Sequence, residues 1–141
     1  MEKPKYVLVD SNVWIALHHE SDTLHEKAKQ IFQKFEAENT TALVTDYIIQ
    51  EVFSVIIRIS GQTAALAYYD HMVGLNRVES IDMNSFFLQK IIQFIRKKNL
   101  LKPLGLVDYS IIFFSHLVEC PLISFDQQLN KAAQKSGATL A

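Results

Sequence analysis

The 141-residue chain has one cysteine, three prolines and four glycines. Cys120 has no second cysteine to pair with, so an intramolecular disulfide is excluded, and no Cys/His pair set or His-Glu-x-x-His helix is present to hold zinc. The few glycines form neither a Gly-x-Gly-x-x-Gly turn nor a Walker loop, which removes readings based on a nucleotide cofactor. Uninterrupted apolar runs such as Ile111 to Phe114 fall far below the roughly 20 residues needed to cross a bilayer. Neither sign of charge dominates: 14 Lys and Arg stand against 15 Asp and Glu, a formal net charge of -1. A broadly basic nucleic-acid coat is thereby excluded, while a local basic groove is not. The opening Met1-Glu-Lys-Pro-Lys5 runs straight into Tyr-Val-Leu-Val without the form of a signal peptide, and with a lone thiol this points to a reducing, cytoplasmic setting.

What the chain has is core-forming composition: 49% hydrophobic and 11% aromatic residues against 21% charged, which excludes disorder as the main state. A folded chain of this length buries roughly 70% of the surface its unfolded form exposes, without disulfides or structural metals. With no repeat, low-complexity tract or linker, residues 1–141 read as one domain.

Short apolar runs alternate with helical periodicity. Tyr6 to Val9 reads as a strand buried on both faces, followed by a short helix carrying Val13, Trp14, Ile15 and Leu17. Leu24, Ala28, Ile31, Phe32 and Phe35 mark a second helix. Ala42 to Thr45 predicts a strand that feeds an apolar helix from about Asp46 to Ser60; Gly61 ends it, and another helix runs from about Thr63 to Leu75. Val78 to Asp82 reads as a third strand, and Ser85 to Lys98 as a helix whose basic end matches its dipole. After a break at 102–105, Leu106 to Val118 is apolar almost all round and predicts a buried central helix. Pro121 to Phe125 reads as a fourth strand, Gln127 to Lys135 as a last helix, and Ala138 to Leu140 as a short edge strand. The alternation predicts an α/β fold of three layers, with a short, mostly parallel central sheet flanked by helices.

Ligands of open α/β sheets bind beyond the carboxyl ends of the strands, so acids placed there carry the functional question. Asp10 and Asp126 follow strands, Asp108 opens the central helix, and Glu51 lies among Ile48, Ile49, Val52, Phe53, Val55 and Ile56. Asp10, Asp108 and Asp126 can each serve as a helix cap. Glu51 and Asp108, in apolar surroundings, predict a site open to water, a cation or a partner, because an unpaired buried carboxylate is costly. Four carboxylates at one sheet edge repel one another, and a divalent cation relieves this; hard oxygen donors with few imidazoles favour Mg²⁺ or Mn²⁺. Such a centre suits phosphodiester hydrolysis, because the cation lowers the pKa of the attacking water and neutralises developing charge.

The segments Val9-Asp-Ser-Asn-Val-Trp-Ile15, Thr45-Asp-Tyr-Ile-Ile-Gln-Glu-Val52, Leu106-Val-Asp-Tyr-Ser-Ile111 and Leu122-Ile-Ser-Phe-Asp126 resemble, in order, the signature segments of PIN-domain ribonucleases, across essentially the whole chain. They are most similar to the compact subgroup that includes the VapC toxins of toxin–antitoxin pairs. The resemblance implies that Asp10, Glu51, Asp108 and Asp126 form an acidic metal-binding quartet, with Asp10 and Asp108 as direct ligands of Mg²⁺ or Mn²⁺. It matches Ser11, Asn12 and Ser124 to polar residues that orient the carboxylates or a water, although helix capping and strand-end hydrogen bonding explain them equally. It further implies an endoribonuclease acting on single-stranded or looped RNA, a homodimer, and a small antitoxin whose C-terminal segment covers the acidic groove.

Arg58, Arg77, Arg96, Lys97, Lys98 and Lys102 are candidates for RNA-backbone contacts, though solvated helix faces account for most of them. Of the aromatics suited to stacking on bases, Tyr47 and Tyr69 stay open, while Trp14 and Tyr109 are expected in the core. His18, His19 and His25 are expected at the surface, and Cys120 is expected to be a buried thiol. The competing function is a non-catalytic RNA- or protein-binding module on the same fold. A phosphoacceptor receiver domain fits less well, because Ser11 stands where a second acid beside Asp10 is expected.

Overall fold

The computed structural model describes residues 5–98 and 104–141 and every side chain among them except that of Lys98. The contacts expected of the Lys98 side chain and of Lys102 therefore lie outside the described residues.

The strands are β1 (Lys5–Val9), β2 (Thr40–Thr45), β3 (Val78–Ile81) and β4 (Leu122–Ile123). All pair in parallel, in the order β3-β2-β1-β4. Chain order runs outward from β1 to β2 to β3 and then crosses to β4 on the other side of β1. The direction of winding thus reverses between β1 and β4, the place where an open α/β sheet offers a crevice at its carboxyl edge. The register sets Val9 opposite Ile123, so Asp10 and Ser124 emerge side by side at that crevice.

The helices are α1 (Ser11–His18), α2 (His25–Ala37), α3 (Asp46–Gly74), α4 (Ser85–Lys98), α5 (Leu106–Leu117) and α6 (Gln127–Ser136). α2 packs on β2, α3 on β3 and α5 on β4, with α1 against both α2 and α3 and with α4 and α6 against α5. The core takes Val7, Leu8 and Val9 from β1, while the strand's first residue, Lys5, is exposed, so burial on both faces holds only for its later half. Trp14 is fully buried and its indole Nε1 donates to the Val9 carbonyl at 3.2 Å, which fixes the β1–α1 corner.

Within α3 the residues Ile48, Val52 and Ile56 form one buried stripe, and Ala65, Tyr68 and Met72 form another. They are separated by Gly61 at φ 85° and ψ 173°, a conformation that L side chains rarely adopt and that breaks the helix where the sequence predicts. α5 is less enclosed than its composition suggests: Ile111, Ile112 and Phe114 are buried, but Leu106 and Leu117 at its ends are 43% and 52% exposed.

β4 is also shorter than the predicted run from Pro121 to Phe125. The Phe125 N–H donates to Asn12 Oδ1 and the Asp126 N–H to Ser124 Oγ, both at 3.0 Å, so side chains take the backbone donors that a longer ladder would use. The expected edge strand at Ala138 to Leu140 reduces to one parallel bridge between Leu122 and Leu140. No described helix is long and apolar enough to cross a membrane.

Candidate active site

Asp10 is buried at the end of β1 and caps α1, its Oδ1 accepting from the Ser11 N–H at 2.7 Å. Its Oδ2 accepts from Ser124 Oγ at 2.6 Å and from Asn12 Nδ2 at 3.2 Å. Asn12 Nδ2 also donates to Ser124 Oγ at 3.0 Å. Ser11, Asn12 and Ser124 therefore converge on one carboxylate. Ser11 and Asn12 open α1, and the bond from Ser124 crosses from β4.

The acids around Asp10 come from separate elements. Asp108 is half-buried in the first turn of α5, with Oδ2 accepting from the Gly105 N–H at 3.3 Å. Asp126 is half-buried beyond β4, where its Oδ1 caps α6 by accepting from the Gln128 and Leu129 N–H groups at 2.9 and 3.4 Å. Glu51 is exposed on α3, contrary to the apolar setting of its sequence neighbours. The helix turns Ile48 and Val52 inward and leaves Gln50, Glu51 and Ser54 to solvent, so no burial penalty falls on its carboxylate.

The acids influence one another electrostatically. Burial holds the Asp10 carboxyl above its ordinary range, against the lowering effect of the Ser124 and Ser11 hydrogen bonds, and the charge of Glu51 pushes it further up. Asp108 is also raised, first by burial and then by the charge of Asp10, with a further contribution from Asp126.

Among the described residues, no three His, Cys, Asp or Glu side chains lie close enough together to form a ready cage for a metal ion. An ion of the Mg²⁺ type does not need one, because it takes only one or two carboxylates and keeps several waters. The oxygen-only donor set of Asp10 and Asp108 fits that chemistry.

The other candidates are dispersed. Arg58 is exposed two turns beyond Glu51 on α3, and Arg96 and Lys97 are exposed near the end of α4. Arg77 precedes β3 at the opposite, amino end of the sheet, where its guanidinium donates to Asn39 Oδ1 at 2.7 Å. Tyr47 and Tyr109 are half-buried against the core, whereas Tyr69 is 41% exposed. The three histidines are half-buried rather than superficial: His25 Nδ1 is 2.8 Å from the Ala16 carbonyl oxygen, and His18 lies 4.7 Å from the Tyr68 ring. Cys120 is buried as expected. Asn130, not expected from the sequence, donates through Nδ2 to the Ser124 carbonyl at 3.0 Å. Its spacing of one helical turn from Asp126 is the signal that marks it.

The model of the PIN domain matches residues 7–135. The chain belongs to the PIN domain family. Two solved structures share the PIN fold seen here. VapC20 of Mycobacterium tuberculosis, a sarcin-ricin loop cleaving toxin, aligns with a TM-score of 0.74 at 17% identity, over 89% of this chain and 94% of its own. VapBC2 from Rickettsia felis, bound to a DNA fragment from its promoter, aligns with a TM-score of 0.69 at 14% identity, over 96% and 97%. No curated protein matches the chain.

Proposed function

We propose that this PIN domain is a metal-dependent endoribonuclease of the VapC toxin type, hydrolysing RNA phosphodiester bonds at Asp10, Glu51, Asp108 and Asp126. The observation that carries this reading is the Asp10 carboxylate at the β1/β4 crevice, held by Ser11, Asn12 and Ser124, with the Asp126 N–H bonded to the same Ser124 hydroxyl. Membership of the PIN family and the RNA-cleaving activity of the structurally similar VapC20 support it.

In this reading Asp10 and Asp108 hold Mg²⁺ or Mn²⁺, which when bound lowers the pKa of an attacking water and neutralises charge on the phosphate. Ser11, Asn12 and Ser124 keep the Asp10 carboxylate in one rotamer, so its orientation is set before substrate arrives. Glu51 and Asp126 complete the negative field. Arg58, Arg96 and Lys97 serve as backbone contacts for RNA. The likeness to VapBC2 supports a small antitoxin partner. The exposed stripe of Leu66, Tyr69 and Val73 on α3 supports a homodimer. The buried Cys120 thiol suits a reducing cytoplasmic setting.

The test is cleavage of labelled single-stranded and structured RNAs with Mg²⁺, with Mn²⁺ or with EDTA, run beside Asp108→Asn. Metal-dependent cutting that the variant lacks is the expected result. No cutting across a broad panel by folded, inhibitor-free protein overturns it in favour of a non-catalytic RNA- or protein-binding module.

A further inference from the structure

A groove of about 780 Å³ lies between α2 and the face of the sheet formed by β1 and β4. It extends from Lys5, at the start of β1, to Phe125, Gln127 and Asn130 beyond the end of β4. At a strand rise of ~3.3 Å per residue, the β1 portion, Lys5 to Val7, spans about 10 Å. None of the four acids lines the groove, but Ser124 belongs both to it and to the hydrogen bonds around Asp10, so one end of the groove lies a single hydrogen bond from that carboxylate.

Phe125 is held at that junction, its N–H donated to Asn12 Oδ1 at 3.0 Å. The Lys27 ammonium of α2 stands 5.4 Å from the centroid of the Phe125 ring. Lys27 is exposed and forms no salt bridge among the described residues. Lys5 and Lys34 add positive charge along the wall, partly offset by Glu38, which lies 3.9 Å from Lys34, and by Glu119 at the end remote from Phe125.

We propose that this groove receives the single-stranded RNA flanking the scissile phosphate, with an unpaired base against Phe125 and the adjoining phosphate at Lys27. The inference rests on the nuclease reading above and assigns the path its substrate takes. The Lys27 ammonium, free of any salt bridge among the described residues, stands over the half-buried Phe125 ring; a phosphate that draws it off the ring leaves that face to a base, which gives the two contacts that single-stranded nucleic acid uses, stacking and phosphate pairing. A peptide fits the groove less well, because the β1 and β4 backbone groups that floor it are engaged within the sheet and leave no ladder for an added strand.

The experiment measures binding of a labelled, random-sequence single-stranded RNA to the Asp108→Asn chain by fluorescence anisotropy. The same titration is repeated with Lys27→Glu or Phe125→Leu added and with an RNA duplex as control. Each added change should weaken single-strand binding about tenfold and leave duplex binding unchanged. Lys27→Glu should also lower the slope of log K against log salt by about one or more. In the otherwise wild-type chain, Lys27→Glu should raise KM for RNA and leave kcat in place. Lys27 is exposed, so a loss caused by misfolding is separable by circular dichroism. Unchanged binding and KM in a wild-type chain that cuts RNA would remove the groove proposal and leave the nuclease reading standing. A wild-type chain that neither cuts nor binds RNA removes both.

Discussion

Ser124 Oγ donates to Asp10 Oδ2 at 2.6 Å, joining residues 114 positions apart in the chain. The same hydroxyl accepts from the Asp126 N–H at 3.0 Å, so one oxygen ties the end of β1 to the turn that carries the last acid. Ser124→Ala should therefore reduce metal-dependent cleavage about tenfold and weaken cation binding, because groups that orient a ligating carboxylate typically contribute at that scale. The three lost hydrogen bonds, the third being that from Asn12 Nδ2, should cost roughly 2–4 kcal/mol of stability. Ser124→Thr, which keeps the hydroxyl, should recover most of the activity; equal activity in Ser124→Ala would show that Asn12 and Ser11 suffice.

Asp108→Asn should abolish cleavage while raising the melting temperature in EDTA by about 2 °C, since it removes a half-buried charge that Asp10 and Asp126 repel. Added Mg²⁺ should stabilise the wild type more than the variant, because a ligand that binds only the folded state shifts the melting curve in proportion to its affinity. A variant that still turns over RNA would dismiss Asp108 as a ligand, whatever its effect on stability.

Stability should depend on pH in the sense opposite to that of a salt-bridged carboxylate. Asp10 and Asp108 hold their protons more tightly when folded than at the ordinary value of 3.8, so the folded state binds more protons than the unfolded one across the raised window. Their contribution is fully present below 3.8 and is lost as pH rises through their folded values. Urea midpoints measured in EDTA should fall less steeply with rising pH in Asp108→Asn than in the wild type. Parallel curves for the two proteins would show that Asp108 ionises without penalty.

Leu66, Tyr69 and Val73 lie at three- and four-residue spacing on the second half of α3 and are 56%, 41% and 41% exposed. This apolar stripe should bury itself against a second copy of the chain, giving a homodimer by light scattering at micromolar concentration, with Leu66→Asp shifting the mass to that of the monomer. A monomeric wild type would leave the stripe to another partner.

Much of the scaffold was legible because its signals are local. Val7, Leu8 and Val9 announce a buried strand, and the Ile48, Val52 and Ile56 stripe announces a packed helix. The order of the acids followed from strand ends, which adjacent residues define. What sequence could not show was who takes whose hydrogen bond. β4 stops at Ile123 because Asn12, 113 positions earlier than Phe125, accepts that residue's N–H. Glu51 shows composition and direction diverging: its neighbours in sequence are apolar, yet helical geometry sets it on the flank of the Ile48 and Val52 stripe, open to water as an acid in such a window requires. The pairing of Lys27 with Phe125 joins α2 to the turn after β4 and had no local signal at all.

Trp14 is the chain's one tryptophan, sealed from water, hydrogen-bonded to Val9 beside Asp10 and packed 4.7 Å from the Phe32 ring. The protein therefore carries a single indole fluorophore at the base of the corner that presents its central acid. Excited to the red of the five tyrosines, its emission reports on that corner alone, so unfolding there can be followed optically in the unlabelled chain and in every variant that keeps Trp14.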